Sequence, residues 1–92
     1  MSRIRVRIPM ALRPFVDGAE VLEVEAATVG AALEQIGTRH TGFLQRIVLD
    51  NGELRPYVNV FVGSDNIRSS GGLDTPVNDG DVVSIIPAVA GG

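Results

Sequence analysis

The 92-residue chain contains no cysteine, which excludes a disulfide framework, a thiolate metal site, a cysteine nucleophile and a persulfide held on its own side chains. It has no lysine either. All eight of its cations are arginines, so it offers no ε-amine for an isopeptide bond, and chains built on itself would need an acceptor such as the N-terminus. A genome that favours arginine codons accounts equally well for that bias. The single histidine, His40, cannot build a usual zinc site. No apolar run approaches the roughly 18 residues of a membrane span, and no charged segment followed by a long apolar stretch opens the chain, so a cytoplasmic protein is expected. The net charge of -3 comes without an acidic tail or a basic patch, and long-range attraction to nucleic acid is not indicated.

What is present suits one small folded domain. Apolar residues make up 45% of the chain, and a chain of this length buries somewhat more than about 60% of its unfolded surface. Arg3-Ile4-Arg5-Val6-Arg7-Ile8 alternates with the period of a strand, with Ile4, Val6 and Ile8 facing a core and the arginines facing solvent. Pro9 and Pro14 bracket a connection, Asp17-Gly18 supplies turn chemistry, and a second strand resumes over Val21 to Val24. Antiparallel pairing would set Glu20, Glu23 and Glu25 against the arginines. Thr28 is an N-cap for a helix carrying Val29, Leu33, Ile36 and His40 on one side and ending near Gly42. Gly30 and Gly37 cost that helix up to about 1 kcal/mol each against alanine, so packing on the sheet must hold it. His40, near the helix C-terminus, reads as a dipole-compatible surface residue.

Phe43 to Leu49 has room for one short helical turn, and Asp50-Asn51-Gly52-Glu53 is a tight-turn signal. Tyr57 to Val62 alternates again, with Val58, Val60 and Val62 inward and Tyr57, Asn59 and Phe61 outward. Ser69 to Gly72 reads as a flexible loop without the spacing or lysine of a phosphate cradle. Two strands, a helix, a strand, a loop and a last strand pack most economically as α+β, with the one main helix across one face of a mixed sheet of four to five strands.

Catalytic chemistry is scarce. No carboxylate stands in an apolar setting with a partner to tune it, Asp79 and Asp81 flank a glycine as turn residues do, and no serine, histidine and acid form a triad motif. Neither a catalytic residue nor a metal ligand is assigned, and no cofactor is expected on the chain itself.

The C-terminus is the informative stretch. Asp79-Gly80-Asp81 leads into Val82-Val83-Ser84-Ile85-Ile86, Pro87 interrupts the run, and the chain finishes on Ala88-Val89-Ala90-Gly91-Gly92. A domain over 1–87 with a flexible tail over 88–92 is the expected organisation. Fully extended, five residues span about 17 Å at roughly 3.3–3.6 Å each. Their small side chains let Ala88, Val89, Ala90 and Gly91 thread a narrow slot, carrying the Gly92 carboxylate into another protein's active site. An ordinary frayed end has the same look. If Val83 and Ile85 are buried, Val82 and Ile86 share the outer sheet face with Phe61, an apolar cluster suited to docking partners or to burial in an oligomer.

This ending resembles that of the ubiquitin-like sulfur carrier proteins, the MoaD and ThiS family. With Arg68-Ser69-Ser70-Gly71-Gly72-Leu73 upstream, Pro87 to Gly92 is most similar to the CysO type, the carriers of a thiocarboxylate route to cysteine. The resemblance covers nearly the whole chain. It implies a β-grasp fold with the last strand central beside the first. It further implies adenylation of the Gly92 carboxylate by an ATP-using, E1-like activating enzyme and displacement of AMP by a sulfur donor, with the carrier a co-substrate and not itself an enzyme. Partners implied for the cysteine route are a cysteine synthase homologue and a releasing metalloprotease. The tail fits two other roles: the small subunit of molybdopterin synthase, inserted into a large catalytic subunit, and a ubiquitin-like modifier ligated to lysines of other proteins.

Overall fold

A computed structural model of the protein describes residues 1–87. Its sheet contains β1 (Ser2–Arg7), β2 (Val21–Ala26), β3 (Val58–Val62), β4 (Asp65–Asn66) and β5 (Val82–Pro87), in the order β2-β1-β5-β3-β4. β1 pairs antiparallel with β2 and parallel with β5, and β3 pairs antiparallel with both β5 and β4. One α-helix, α1 (Val29–Arg39), is the main helix. This is the β-grasp arrangement, with the last strand at the centre of the sheet next to the first.

Period-2 alternation in β1 sends Ile4, Val6 and Ile8 inward, all at most 2% exposed, and leaves the arginines outside. Register fixes their partners. Arg3 lies opposite Glu25 and Arg5 opposite Glu23, with ion-pair distances of 3.2 and 3.7 Å. At that exposure each pair contributes about 0.2–1 kcal/mol, enough to favour this register over a slipped one. Glu20, expected in the same row, precedes β2; its carbonyl accepts the Ile8 N–H at 2.8 Å.

Thr28 caps α1, its Oγ1 accepting the Ala31 N–H at 3.2 Å, and Val29, Ala32, Leu33 and Ile36 form the buried stripe. Both helix glycines have a packing reason. A Cβ on Gly30 would stand 3.0 Å from the Leu73 carbonyl oxygen, and one on Gly37 would stand 3.1 Å from Leu44 Cβ, so a side chain at either position would push a packed segment away. α1 stops at Arg39 and not near Gly42. His40 is already extended, and a turn through Gly42 at φ +90° swings Phe43 inward, its N–H bonded to the His40 carbonyl. His40 is half-buried, with Nδ1 3.9 Å from Asp17 Oδ2.

Two segments expected as connections are folded. Met10–Val16 forms a 3-10 helix around Pro14, because Leu12 and Val16, four apart, both enter the core. Ser69 to Gly72, expected as a flexible loop, joins 3-10 turns at Ile67–Ser69 and Gly72–Asp74. It is fixed by the Thr75 carbonyl accepting the Val29 N–H and by Thr75 Oγ1 donating to the Gly72 carbonyl. The short helical turn expected after Phe43 is present at Leu44–Arg46.

Phe43 is the largest fully buried side chain and closes the core beneath α1. Phe43→Ala should therefore destabilise the protein by about 3–5 kcal/mol, measured as a shift in the urea unfolding midpoint at constant slope.

Candidate functional site

The geometry of the C-terminal end begins with the turn that launches β5. Asp79 Oδ1 accepts the Arg3 N–H at 2.8 Å, the Gly80 N–H donates to the Arg3 carbonyl at 3.0 Å, and the Asp81 carbonyl accepts the Arg5 N–H at 3.1 Å. Asp81 Oδ2 closes the turn by accepting the Asn78 N–H at 2.8 Å. Gly80 sits at φ +85°, where a side chain would be strained. Acid-glycine-acid is thus a mechanical device. It hooks the turn onto the start of β1 and aims β5 between β1 and β3.

Along β5, Val83 and Ile85 are buried while Val82, Ser84 and Ile86 point outward. Phe61 lies opposite Ser84 and Asn59 opposite Ile86, so Phe61, Val82 and Ile86 do share the outer face. Phe61 and Val82 are half-buried, and Ile86 is 49% exposed. The face is divided. On β1 and β2 the Arg3–Glu25 and Arg5–Glu23 pairs largely cancel one another's charge, whereas on β5 and β3 the outer face is uncharged, with Phe61, Val82 and Ile86 beside Asn59 and Ser84. At the boundary Arg7 faces Val21 and Ser84, with no acid opposite it. A shallow depression of about 380 Å³ opens there, lined by Arg7, Arg13, Glu20, Ser84, Ile86 and Pro87.

β5 runs through Pro87 and does not stop at Ile86 as the missing N–H suggests. The reason is geometric. The Gly63 N–H donates to the Val82 carbonyl at 2.9 Å, so hydrogen-bonded pairs of the β3–β5 ladder alternate from that point, and Pro87 opposite Val58 occupies a non-bonded pair. On its other side, β1 pairs with β5 only as far as Ser84. A proline at 87 therefore removes no ladder bond. Ala88, Val89, Ala90, Gly91 and Gly92, the expected threading tail and its reactive terminus, lie outside the described residues.

The sequence reading missed how Arg68 is used. Its guanidinium reaches back to the carbonyls of Arg55 and Val58 and to Asn59 Oδ1, stapling the entry of β3. Nothing in local pattern signals this, because the partners are 9 to 13 residues away and two of them are backbone oxygens. Among the described residues no cluster of His, Asp or Glu could hold a metal ion, and no helix is long and apolar enough to cross a membrane.

The same architecture recurs in known proteins. The sulfur carrier protein CysO of Mycobacterium tuberculosis is 37% identical over 91 residues, covering 97% of this chain and 98% of that one. A chain in the crystal structure of the Amycolatopsis orientalis BexX/CysO complex superposes with a TM-score of 0.90 at 39% identity, over 97% of this chain and 99% of that chain. Small archaeal modifier protein 3 of Haloferax volcanii is 39% identical over 66 residues, covering 72% of this chain and 71% of the relative. The ThiS family model matches residues 6–92, from the first strand through the terminal Gly-Gly. A β-grasp sheet with its last strand central, full-length likeness to CysO and that family match lead to one conclusion: the chain belongs to the ThiS family and is a sulfur carrier protein, without a bound cofactor and not itself an enzyme.

Proposed function

We propose that the chain carries sulfur as a thiocarboxylate on the α-carboxyl of Gly92 and delivers it to a biosynthetic acceptor, with cysteine as the product. One observation carries this reading: the central strand ends at Pro87, and the sequence beyond the last ladder pair is Ala-Val-Ala-Gly-Gly. A carboxylate is unreactive toward sulfur nucleophiles, so an activating partner must first spend ATP. The Gly92 carboxylate displaces pyrophosphate to form an acyl-adenylate; a sulfide equivalent then attacks the acyl carbon, the new C–S bond replaces the C–O bond to AMP, and AMP departs. The resulting thiocarboxylate is a soft, ionised nucleophile that stays attached to an addressable protein. Full-length likeness to CysO supports cysteine as the destination, with a cysteine synthase homologue and a releasing metalloprotease as the downstream partners.

The five residues beyond Pro87 supply reach, while the apolar half of the outer face, with Phe61, Val82 and Ile86, supplies docking. That face stands beside the point where the tail begins, so one partner can grip the sheet and receive the terminus together. The crystallised BexX/CysO complex supports the idea that a carrier of this shape is recognised as a folded partner. A modifier role, ligation of Gly92 to lysines of target proteins, is favoured by the likeness to the Haloferax protein. A role as the small subunit of molybdopterin synthase has weaker support, from the likeness to the putative molybdopterin converting factor, subunit 1, of Pyrococcus furiosus, with a TM-score of 0.71 at 25% identity.

Incubation with the activating enzyme of its own genome, ATP and a sulfur donor should raise the intact mass by the exchange of one oxygen for one sulfur, located to Gly92 by fragmentation. No exchange with any such enzyme would sink the proposal. A pull-down from the native cell should recover a cysteine synthase homologue and a metalloprotease; recovery of a molybdopterin synthase large subunit would redirect the pathway, and covalent ladders on denaturing gels would indicate modification.

Deleting Gly92, or making Gly91→Phe, should change unfolding free energy by less than about 0.5 kcal/mol and yet abolish loading. Removal of one residue withdraws the carboxylate by about 3.5 Å, beyond the tolerance of an attack geometry. Phe61→Ala and Ile86→Ser should instead raise the KM for the activating partner and leave kcat near wild type at saturation, read from the rate of AMP formation.

A further inference from the structure

Pro87 is the last described residue of β5, and its ladder partner is Val58, the first residue of β3. Neither bonds the other through the backbone, because the hydrogen-bonded pairs of this ladder fall on Gly63, Phe61 and Asn59. The backbone groups of Val58 face away from β5. The neighbour on that side, β4, pairs only with Phe61 and Val62 before the chain turns off into Ile67–Ser69. Val58 is therefore held by something other than the sheet. Its N–H donates to the Arg55 carbonyl at 3.0 Å, closing the Arg55-Pro56-Tyr57-Val58 turn. Its carbonyl accepts from Arg68 Nη2 at 2.7 Å, and the same nitrogen lies 2.7 Å from the Arg55 carbonyl.

Arg68 is itself fixed. Its Nε donates to Asn59 Oδ1 at 3.3 Å, and its backbone N–H donates to Asn66 Oδ1 at 3.0 Å. The Asn66 amide in turn donates to Asn59 Oδ1 at 3.4 Å. Asn59 stands opposite Ile86, so the cluster borders the exposed apolar part of the outer face. A planar, always-charged guanidinium bridging two carbonyls of one turn makes charge-assisted bonds stronger than neutral ones, in a place where no strand could supply them.

We propose that Arg68 is a positioning residue of the carrier: by clamping the Arg55–Val58 turn it fixes the first residue of β3, and through the Val58–Pro87 pair it sets where and in which direction the C-terminal tail leaves the sheet. This rests on the reading that Gly92 is the terminus to be loaded. Arg68 need not touch the partner. Its effect is on delivery of the tail, so loss of the clamp lowers turnover within the complex and leaves affinity for the docking face intact.

Two readouts test it on the full chain. The absence of native cysteine allows clean labelling at Thr38→Cys on α1 and Ala88→Cys just beyond β5, and the distance distribution between the two spin labels is measured with Arg68, Arg68→Gln or Arg68→Lys. Arg68→Gln should shift or broaden the distribution while circular dichroism shows a folded protein, and Arg68→Lys, which offers one charged donor to the same carbonyls, should fall between. In the loading reaction Arg68→Gln should lower kcat on the order of tenfold with KM within about twofold of wild type. A distribution for Arg68→Gln that coincides with wild type, or a defect confined to KM, overturns the proposal. Failure of the wild type to load at all instead overturns the Gly92 reading, and the spin-label distances decide the role of Arg68 regardless.

Discussion

The parallel pairing of β5 with β1 is the constraint on which the rest of the molecule depends. It places the last strand at the sheet's centre and makes it a neighbour of the first, so the two ends of the domain share one core. One contact that holds it, Asp79 Oδ1 accepting the Arg3 N–H, spans 76 positions in sequence. Closing so long a loop costs chain entropy that the core buried between the two strands must offset. The same design joins the C-terminal end of β5 to a rigid platform. β5 is flanked on both sides by other strands, and Val83 and Ile85 anchor it to the buried core.

Proline and glycine take opposite roles at the two ends of that strand. Gly80 supplies a left-handed turn that lets two flanking aspartates bond backbone N–H groups and start β5 in register. Pro87 ends it at a position where both neighbouring ladders have no bond to lose. Placed one residue earlier, opposite Asn59, a proline would break a hydrogen-bonded pair. β5 can thus carry a proline at its last described residue without losing a ladder bond.

Surface chemistry divides in the same economical way. Arg3 and Arg5 of β1 are offset by Glu25 and Glu23 of β2, Arg7 is not, and Phe61, Val82 and Ile86 add apolar surface on β3 and β5. Arg68 holds the entry of β3 at the border of this face.

Much of this was legible in the sequence. Period-2 alternation in residues 3–8 and 57–62 marked β1 and β3 because one face of each is buried, and Thr28 marked the start of α1 because its side-chain oxygen is the acceptor an N-terminal N–H needs. The outward set of Phe61, Val82 and Ile86 followed from the same period once Val83 and Ile85 were taken as core. The terminal Gly-Gly after a proline-ended strand pointed to the family. Other features were decided only by the tertiary structure. Met10–Val16 and Ile67–Asp74 are held by contacts from outside their own segments, which overrode proline and glycine signals that read locally as loops. Phe43 became the keystone of the core because the chain leaves α1 three residues before Gly42, and Arg68 became a clamp because folding brings it to two carbonyls 10 and 13 residues away. Local sequence fixes the faces and ends of regular elements, since their hydrogen bonds repeat at short, constant spacing; a side chain's partner across the fold depends on how those elements pack, and no short-range pattern encodes it.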